Sequence, residues 1–377
     1  MKTLVNIMLP ALLVTAGSCS GDRNISLNVD SATPRSGAMV EIPVSEILES
    51  VGAKHVRVLD PSGKEIPSQI TYDSLLIFHA GEGSYTIMPS DRKPEYETMA
   101  CGRLYPERAD DIAWENDLVG FRAYGPATQR KGEKAFGYDI FFKYPGKGLV
   151  VEELYRPETD PATWVKVDSL RAIDNQLAED YIKTFSYHID HGKGMDCYAV
   201  GPTLGAGVAA LMPADSIAFP WCYDKARVLD NGPLRFTVSM DFLPAVIGND
   251  SAVVEHRIIT LDAGSRLNRT RVWYDGLSSP AMIAAGVPRR DDSPAILDSE
   301  NGFIAYADPT QGTDNGKAIL AVYFPDGLRN TREQQGHILG ITGYNPGDTL
   351  TYYWGFSWSR AGGISDLSGM KEYILNF

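Results

Sequence analysis

The chain has 377 residues, of which 44% are hydrophobic, so it can build one large domain and a smaller one around a sizeable core. Its formal net charge is −13 and it has no basic block, which argues against nucleic acid or an anionic membrane surface as a partner. The 36 glycines, 23 prolines and 19 tyrosines, with few helix-type runs, predict a mainly β protein of many short strands.

The N-terminus has the features of an export signal. One Lys precedes an apolar run too short to span a bilayer, and small residues lead directly into Cys19. Because this pattern resembles a bacterial lipobox, we expect residues 1–18 to be a signal peptide, Cys19 to be lipidated and residues 19–24 to be a tether. Ala16 stands where a lipobox usually has Leu, so a soluble periplasmic product is the alternative. In either case we expect an exported protein, and any membrane attachment would be through the lipid alone.

Residues 25–90 alternate in short runs such as "HVRVLD", "LLIFHA" and "SYTIMP", separated by turn sequences. They predict a small β-sandwich, in which "SEILESVG" adds one or two helical turns. The segment Ser90–Met99 is polar, contains a proline and has little apolar periodicity, so it is predicted to be a linker.

Residues 100–377 repeat the alternation in longer runs, such as "FGYDIFFKY", "LRFTVSMDF" and "DTLTYYWGFSWS". They predict a second domain of two large packed antiparallel sheets. Only the stretch Ser169–Lys183 shows helix periodicity. We find no internal repeat of the length that builds propellers or solenoids.

The first motif is "YPERADDIAWENDLVGFRAYGP", which interleaves aromatic and charged residues. It could be an ordinary charged surface. The same mixture also suits sugar recognition, because rings stack on a pyranose while Arg and carboxylates hydrogen-bond hydroxyls or a uronate. No regular calcium-loop spacing is present, so calcium is only a weak alternative. The candidate binding residues are Glu107, Arg108, Asp110, Trp114, Glu115, Arg122 and Tyr124.

The second motif is "SYHIDHGKGMDCYAVGPTLGAG", with His188, His191, Asp196 and Tyr198 in a glycine-rich stretch. It lacks the helical HExxH spacing, so a metal site is not favoured. In a second alternative, each histidine is structural and its ring is hydrogen-bonded to the backbone. A histidine that moves a proton, a carboxylate that fixes its tautomer and a nearby phenol are typical of acid/base chemistry. The glycines would let a ligand approach the backbone closely.

The third motif, "YYWGFSWSRAGG", places Trp354 and Arg360 on one face of a strand, which is either core or a wall for sugar stacking. The stretch "FPWCYDKAR" adds Trp221 and Lys225 with the same two alternatives. Three further cysteines have no CxxC or CxxH spacing, and their odd number leaves at least one thiol unpaired. No cofactor is expected.

Together the three motifs resemble an uncharacterised bacterial family of exported lipoproteins, the domain of unknown function number 4861. The resemblance covers nearly the whole mature chain. It implies a galactose-mutarotase-like β-supersandwich for the large domain and an association with enzymes that degrade pectin or other uronate glycans. The family has no settled activity, so it lends no catalytic residues, and fold alone does not decide function.

The leading hypothesis is a lyase that eliminates across C4 and C5 of a uronate in an acidic oligosaccharide or polysaccharide. Such a reaction needs a cation on the carboxylate, a base for the C5 proton and an acid for the leaving oxygen. The candidates are Arg122 as the cation, His188 or His191 as the base, and Tyr198 or Tyr124 as the acid.

Two alternatives remain. A glycoside hydrolase would use two carboxylates from Glu107, Asp110, Asp111 and Glu115, and a glycan-binding lipoprotein would have no turnover at all. The chain has no GxSxG elbow, no GxGxxG at a strand–helix junction and no P-loop, so α/β-hydrolase, dinucleotide and NTPase functions lack their motifs.

Overall fold

The computed structural model describes residues 24–29 and 38–377, so the signal peptide, Cys19 and the tether up to residue 23 lie outside the described residues. The described chain divides into two compact units. The smaller unit holds the described residues up to Met99 with Gly232–Arg235 and Asn376–Phe377, and the larger holds Ala100–Asn231 and Phe236–Leu375. In the ranges described, no helix is long and apolar enough to cross a membrane.

The small unit contains a four-stranded sheet, in the order β1-β7-β3-β4, and a three-stranded sheet, in the order β2-β6-β5. Helix α1, Val44–Val51, buries Ile47 and Val51 and ends where Gly52 takes a left-handed φ of 65°. The strands of this unit are β1 (Ile25–Val29), β2 (Ala38–Pro43), β3 (His55–Leu59), β4 (Glu65–Ile66), β5 (Ser68–Ile70), β6 (Leu75–Ala80) and β7 (Gly83–Ser90).

The remaining strands build three sheets, and the prediction of a mainly β protein is confirmed. They are β8 (Ala100–Tyr105), β9 (Asp111–Asn116), β10 (Gly120–Ala123), β11 (Tyr138–Lys143), β12 (Gly194–Met195), β13 (Ala209–Leu211), β14 (Lys225–Gly232), β15 (Arg235–Asp241), β16 (Ala245–Ile247), β17 (Asp250–Asp262), β18 (Leu267–Asp275), β19 (Ala281–Pro288), β20 (Ala295–Asp298), β21 (Phe303–Asp308), β22 (Ala318–Tyr323), β23 (Asn330–Gln334), β24 (His337–Tyr344) and β25 (Leu350–Trp358).

The three sheets have five, four and nine strands. The five-stranded sheet runs β12-β11-β10-β9-β8, and the four-stranded sheet runs β13-β19-β24-β23. The nine-stranded sheet runs β14-β15-β17-β18-β25-β22-β21-β20, with β16 paired to β17. Neighbouring strands in them pair antiparallel, as at β10 with β11 and at β18 with β25.

The main core lies between the five-stranded and nine-stranded sheets. Tyr138 and Trp354 stack with ring centres 4.1 Å apart, and Phe121 meets Trp354 at 5.0 Å. The buried indole N–H groups are satisfied: Trp114 donates to Asn268 at 2.8 Å and Trp354 to Thr270 at 2.8 Å. Aromatic pairs with satisfied donors therefore hold the two sheets together.

The large unit is more helical than its sequence predicts. Its helices are α2 (Pro126–Arg130), α3 (Val151–Thr159), α4 (Pro161–Arg171), α5 (Asn175–Lys183) and α6 (Leu367–Leu375), with a 3₁₀ turn at Pro213–Asp215. The single helix predicted over 169–183 is wrong, because Asp174 caps a new helix there by accepting from the backbone N–H of Gln176. Asp160 followed by Pro161 caps α4 in the same way, which is a readable sequence signal.

Candidate active site

The five-stranded sheet has one apolar and one charged face. Arg122 on β10 is opposite Asp139 on β11 and Ala113 on β9, and residues paired directly point to the same side of a sheet. Trp114 and Phe121 alternate with them and point to the apolar side. Trp114 and Phe121 therefore lie on the face opposite the charged residues of the first motif, whereas Tyr124 contacts Arg122 on the charged side. The charged face carries Asp111, Glu115, Arg122, Asp139 and Lys143.

Glu115 on this face accepts hydrogen bonds from three donors. The Lys143 ammonium pairs with it, and the backbone N–H groups of Val150 and Val151 donate to its carboxylate at 2.9 and 2.7 Å. Glu115 is 2% exposed. Since Val151 begins helix α3, the carboxylate holds this helix on the sheet. This differs from its predicted role in substrate binding, because Lys143 and two backbone N–H groups already occupy its oxygens.

Arg122 lies at the centre of a buried network. Its Nη2 pairs with Asp139 and lies 3.3 Å from Asp196 Oδ2 and 3.2 Å from Tyr124 Oη, and its Nη1 lies 3.4 Å from Tyr155 Oη. Arg122 is 5% exposed. Its charge is paired with Asp139 and its side chain is buried, so it differs from the predicted neutraliser of a substrate carboxylate. The network instead ties β10 and β11 to the loop that carries both histidines.

Two members of the network have raised pKa values. Burial, followed by the Asp139 charge, raises the pKa of Asp196 to about 8, although Arg122 acts in the opposite direction. Burial and the same Asp139 charge raise the pKa of Tyr124 far above its usual value. Tyr124 donates its hydroxyl hydrogen to Asp139 at 2.9 Å.

Arg108 lies over two tyrosine rings beside this network. Its guanidinium carbon is 4.7 Å from the ring centres of both Tyr155 and Tyr187, and its Nη2 donates to Tyr187 Oη. Asp111 and Glu158 lie 3.7 and 3.9 Å from its nitrogens, beyond hydrogen-bond distance. Its Nε is buried and has no hydrogen-bond partner among the described residues. These five residues, the Arg108 cluster, present a cation with unused hydrogen-bonding capacity.

The two carboxyl groups of the cluster have raised pKa values. Burial raises the pKa of Asp111 to about 6 against the opposing charges of Arg122 and Arg108. Burial also raises the pKa of Glu158, against Arg108 and His188. Carboxyl groups with raised pKa values beside a cation are typical of sites that exchange protons near neutral pH.

The two histidines are held differently. His188 is exposed, its ring lies 4.4 Å from the Tyr187 ring, and its Nδ1 lies 2.9 Å from the backbone carbonyl oxygen of Asp196. A carbonyl only accepts, so Nδ1 carries the hydrogen and Nε2 of the neutral ring keeps its lone pair. His191 Nε2 lies 3.2 Å from the carbonyl oxygen of Ser186 and thereby fixes the turn of the loop.

The turn that carries Arg108 is strained, and Gly125 and Tyr223 contact it. Ala109 and Asp110 have left-handed φ angles of 54° and 59°. A Cβ on Gly125 would lie 1.9 Å from the carbonyl oxygen of Asp110, so the two segments approach each other as only glycine allows. The Tyr223 hydroxyl donates to the same carbonyl.

An aromatic cleft lies beside this turn, and its free interior space is about 10 Å³, enough for about one water molecule. Gly137, Cys222 and Met240 contribute to its walls. Its ring-bearing and charged lining residues, which define the aromatic cleft, are Tyr124, Phe136, Tyr138, Trp221, Tyr223, Phe242 and Arg257.

Tyr198 is placed with a different group of charges. It is 4% exposed, and the guanidinium carbon of Arg290 lies 5.8 Å from its ring centre. Arg290 in turn lies 3.6 Å from Asp308. Burial, followed by the Asp308 charge, raises the pKa of Tyr198 well above its usual value. The structure therefore groups this predicted proton donor with Arg290 and Asp308 rather than with the Arg108 cluster.

Trp114 and Trp354 are each 1% exposed or less and belong to the main core. This differs from their predicted role in sugar stacking, because strand alternation turns both rings inward between the sheets. The core alternative stated for the third motif is the one that the structure shows.

The other predicted binding residues lie on the surface. Glu107 pairs with Arg103 at 2.8 Å and Asp110 pairs with Arg130 at 2.8 Å. Arg360 lies 3.9 Å from Asp190 in the histidine loop. Lys225 is exposed. The histidine loop thus meets residues of the first motif through Asp196 and of the third motif through Arg360.

Sequence reasoning missed four residues of this region: Asp139, Tyr155, Glu158 and Tyr187. A readable signal exists for two of them. Asp139 is the one carboxylate inside the otherwise apolar strand "YDIFF", where a buried charge demands a partner. Tyr187 directly precedes His188. Tyr155 and Glu158 come from helix α3, which was not predicted.

Cys101, Cys197 and Cys222 are unpaired in the structure. Within residues 24–29 and 38–377, no three His, Cys, Asp or Glu side chains are grouped so that they could hold a metal ion. The weak calcium alternative therefore gains no ligand set in that part of the chain.

The fold and the charged face define a large antiparallel β-sandwich protein with a buried acid/base network. The chain belongs to the family described as "Domain of unknown function (DUF4861)", whose family model matches residues 27–377. The resemblance drawn from the three motifs is thereby confirmed. A relative, an uncharacterized protein P7 of Formosa agariphila, is 25% identical over 406 aligned residues, which cover 100% of this chain and 97% of that protein.

Two solved structures resemble the chain at low identity. A protein in glycosyl hydrolase family 38 from Enterococcus faecalis matches with a TM-score of 0.50 and 8% identity, over 94% of this chain and 46% of that one. An α-mannosidase from Enterococcus faecalis V583 matches with a TM-score of 0.46 and 9% identity, over 91% and 44%. The chain spans about half the length of these structures, and the likeness is one of fold.

Proposed function

We propose that the protein is a carbohydrate-active enzyme that cleaves uronate-containing glycans by β-elimination at the Arg108 cluster. The proposal rests on two atoms: the buried Nε of Arg108, which has no hydrogen-bond partner among the described residues, and Nε2 of His188, which keeps its lone pair because Nδ1 faces a carbonyl oxygen. Both side chains contact the ring of Tyr187, Arg108 at 4.7 Å and His188 at 4.4 Å. Arg108, a cation without a full set of acceptors, and His188, a base, thus both contact the phenol ring of Tyr187.

Each side chain has a defined step. Arg108 holds the uronate carboxylate, which makes the hydrogen on C5 more acidic and stabilises the charge that develops in the transition state. His188 Nε2 takes the C5 proton, the C4–O bond breaks as the C4–C5 double bond forms, and Tyr187 Oη gives its proton to the leaving oxygen. Arg108, rather than the predicted Arg122, is the neutralising cation here.

The carbohydrate substrate is supported by the fold, since the solved protein with a TM-score of 0.50 is described as a member of glycosyl hydrolase family 38. Likeness of fold is a weak guide to substrate, so the uronate rests on the Arg108 cluster itself. A guanidinium that stacks on aromatic rings and has one nitrogen without a hydrogen-bond partner suits a planar carboxylate better than a neutral hydroxyl.

Glycoside hydrolysis is the second candidate, and the raised pKa values of Asp111 and Glu158 on either side of Arg108 favour it. A protonated carboxyl group can serve as general acid while another carboxylate activates water. This pair replaces the predicted Glu115, which Lys143 and helix α3 occupy.

A product assay on a panel of uronate oligosaccharides separates the candidates. Elimination creates ultraviolet absorbance from the new double bond, whereas hydrolysis creates reducing ends without that absorbance. Products that carry the double bond support our proposal. Reducing ends alone contradict elimination and support hydrolysis, and binding without any product supports a glycan-binding lipoprotein.

We also propose that the enzyme is exported and anchored in the bacterial envelope through a lipid on Cys19. The short apolar leader that ends in small residues before this cysteine supports the proposal. An extracytoplasmic position would bring the Arg108 cluster to glycans too large to enter the cell.

A further inference from the structure

The aromatic cleft takes no part in the proposed elimination, yet its rim offers rings to a ligand. Phe136 and Trp221 are partly exposed and meet edge to face with ring centres 5.7 Å apart. Phe219 stacks on Phe136 at 5.3 Å. Partly exposed rings at the mouth of a cleft present the flat apolar surface on which a pyranose stacks. We propose that the rim of the aromatic cleft binds a neutral sugar, whose ring stacks on these side chains while one of its hydroxyl groups enters the cleft.

A missing hydrogen-bond partner points to a ligand with hydroxyl groups. Trp221 Nε1 is buried and has no hydrogen-bond partner among the described residues. An indole N–H only donates, so its partner must be an acceptor, and a buried donor left without one is unfavourable. A sugar hydroxyl that enters the cleft would supply this acceptor.

The charge of the cleft selects a neutral sugar over a uronate. Arg257 is 2% exposed, and its charge is paired with Glu255. Its Nη1 donates to Tyr138 Oη at 2.8 Å and its Nη2 to the carbonyl oxygen of Ala209 at 3.3 Å. Each of the three guanidinium nitrogens thus has a partner, and Arg257 offers a carboxylate no unpaired charge. Arg108, by contrast, keeps an open donor.

Two side chains connect the aromatic cleft to the turn that carries Arg108 and to the Arg122 network. Tyr223 lines the cleft, and its hydroxyl holds the carbonyl of Asp110 in the turn that carries Arg108. Tyr124 also lines the cleft, and its hydroxyl belongs to the Arg122 network. In a step that rests on the proposed function, a uronate at Arg108 places the adjoining residue of the glycan at the cleft. The substrate class is then a glycan in which neutral sugars adjoin uronates.

Calorimetric titration of the full chain with a neutral trisaccharide, cellotriose, tests the cleft without any turnover. Trp221→Phe keeps a ring and removes the N–H, so we expect cellotriose binding to weaken about 3- to 10-fold, the effect of one hydrogen bond. The matched control is Trp273→Phe, on the partly exposed Trp of strand β18, which should leave binding unchanged. Thermal unfolding of Trp221→Phe checks that the fold is kept.

Arg108→Lys separates this inference from the proposed function. We expect it to weaken binding of an acidic probe, trigalacturonate, and to leave cellotriose binding unchanged. Failure of cellotriose to bind, or equal binding by wild type and Trp221→Phe, would overturn the inference whatever the elimination assay shows. Weaker trigalacturonate binding in Trp221→Phe with unchanged cellotriose binding would also overturn it, because the cleft would then be a uronate site.

Discussion

The Nδ1 atom of His188 lies 2.9 Å from the backbone carbonyl oxygen of Asp196, whose own side chain lies 3.3 Å from Arg122. The backbone N–H of Asp196 also donates to the carbonyl of Tyr187 at 2.8 Å. One residue therefore connects the buried network to both proposed proton carriers. The network acts on the reaction by positioning His188 and Tyr187, without a contact of its own to the substrate.

The two histidines should differ in their effect on turnover. We expect His188→Ala to lower kcat about 10²- to 10⁴-fold, the usual contribution of a general base, because its Nε2 is the free one beside Tyr187. His191→Ala removes only the bond to the Ser186 carbonyl and should lower kcat less than about tenfold. Steady-state rates of the ultraviolet assay measure both. Equal losses in the two variants would remove the base assignment from His188.

Arg108→Lys should separate the neutralising cation from an ordinary surface charge. Lys keeps the charge but loses the planar fork that pairs with a carboxylate and stacks on tyrosine, so we expect kcat/KM for a uronate oligosaccharide to fall about 10²-fold. The control is Arg103→Lys, since Arg103 is partly exposed and already paired with Glu107 and Glu152. Similar kinetics in both variants would show that Arg108 does not hold the substrate.

Strand alternation makes most of the β structure predictable, and it also shows which residues of a strand share a face. "FGYDIFFKY" predicts a strand, and β11 spans Tyr138–Lys143. The same alternation assigns Trp114 and Glu115 to opposite faces, but it does not say which face meets the second sheet. That answer depends on pairing partners far away in the chain, such as Trp354 with Phe121.

The site itself was only half predictable, for a physical reason. The first and second motifs do come together, through Arg122 and Asp196, as their shared chemistry predicts. Which arginine stays open to a ligand depends on which acidic residue pairs with it. Asp139, which pairs with Arg122, lies outside both motifs. Burial and pairing are tertiary properties, so the sequence alone could not separate Arg108 from Arg122.

Gly125→Ala should destabilise the protein and disturb the turn that carries Arg108. The added Cβ would lie 1.9 Å from the carbonyl oxygen of Asp110, a backbone atom that cannot move without changing the strained turn. We expect a loss of about 2 kcal/mol or more in the free energy of unfolding, measured by urea denaturation. Gly81→Ala is the control, because a Cβ there meets nothing within 4 Å. Equal stability of the two variants would mean that the approach at Gly125 relaxes easily.

Cys19→Ala should move the protein from the membrane fraction to the soluble fraction of cells. A lipid on this cysteine is the only membrane attachment that we propose, and no described helix is long and apolar enough to cross a bilayer. Cell fractionation followed by immunodetection measures the change, with Cys101→Ala as the control. Membrane association that persists in Cys19→Ala would rule out the lipid anchor.

Asp196→Asn should remove part of the pH dependence of stability. Asp196 has a folded pKa of about 8, above its usual value near 3.8, so the unfolded state releases this proton first as pH rises. The stability that this group contributes is therefore complete below about pH 4 and is lost progressively up to about pH 8, by about 1.4 kcal/mol per pH unit. Urea denaturation at pH 5 and pH 7.5 should show a smaller loss for Asp196→Asn than for the wild type. Asp180→Asn is the control. Lys183 lowers the pKa of that exposed carboxylate, so Asp180 changes the pH dependence of stability only at pH values below about 4. An unchanged slope in Asp196→Asn would show that Arg122 keeps Asp196 ionised throughout, and that the network holds His188 through two charged carboxylates.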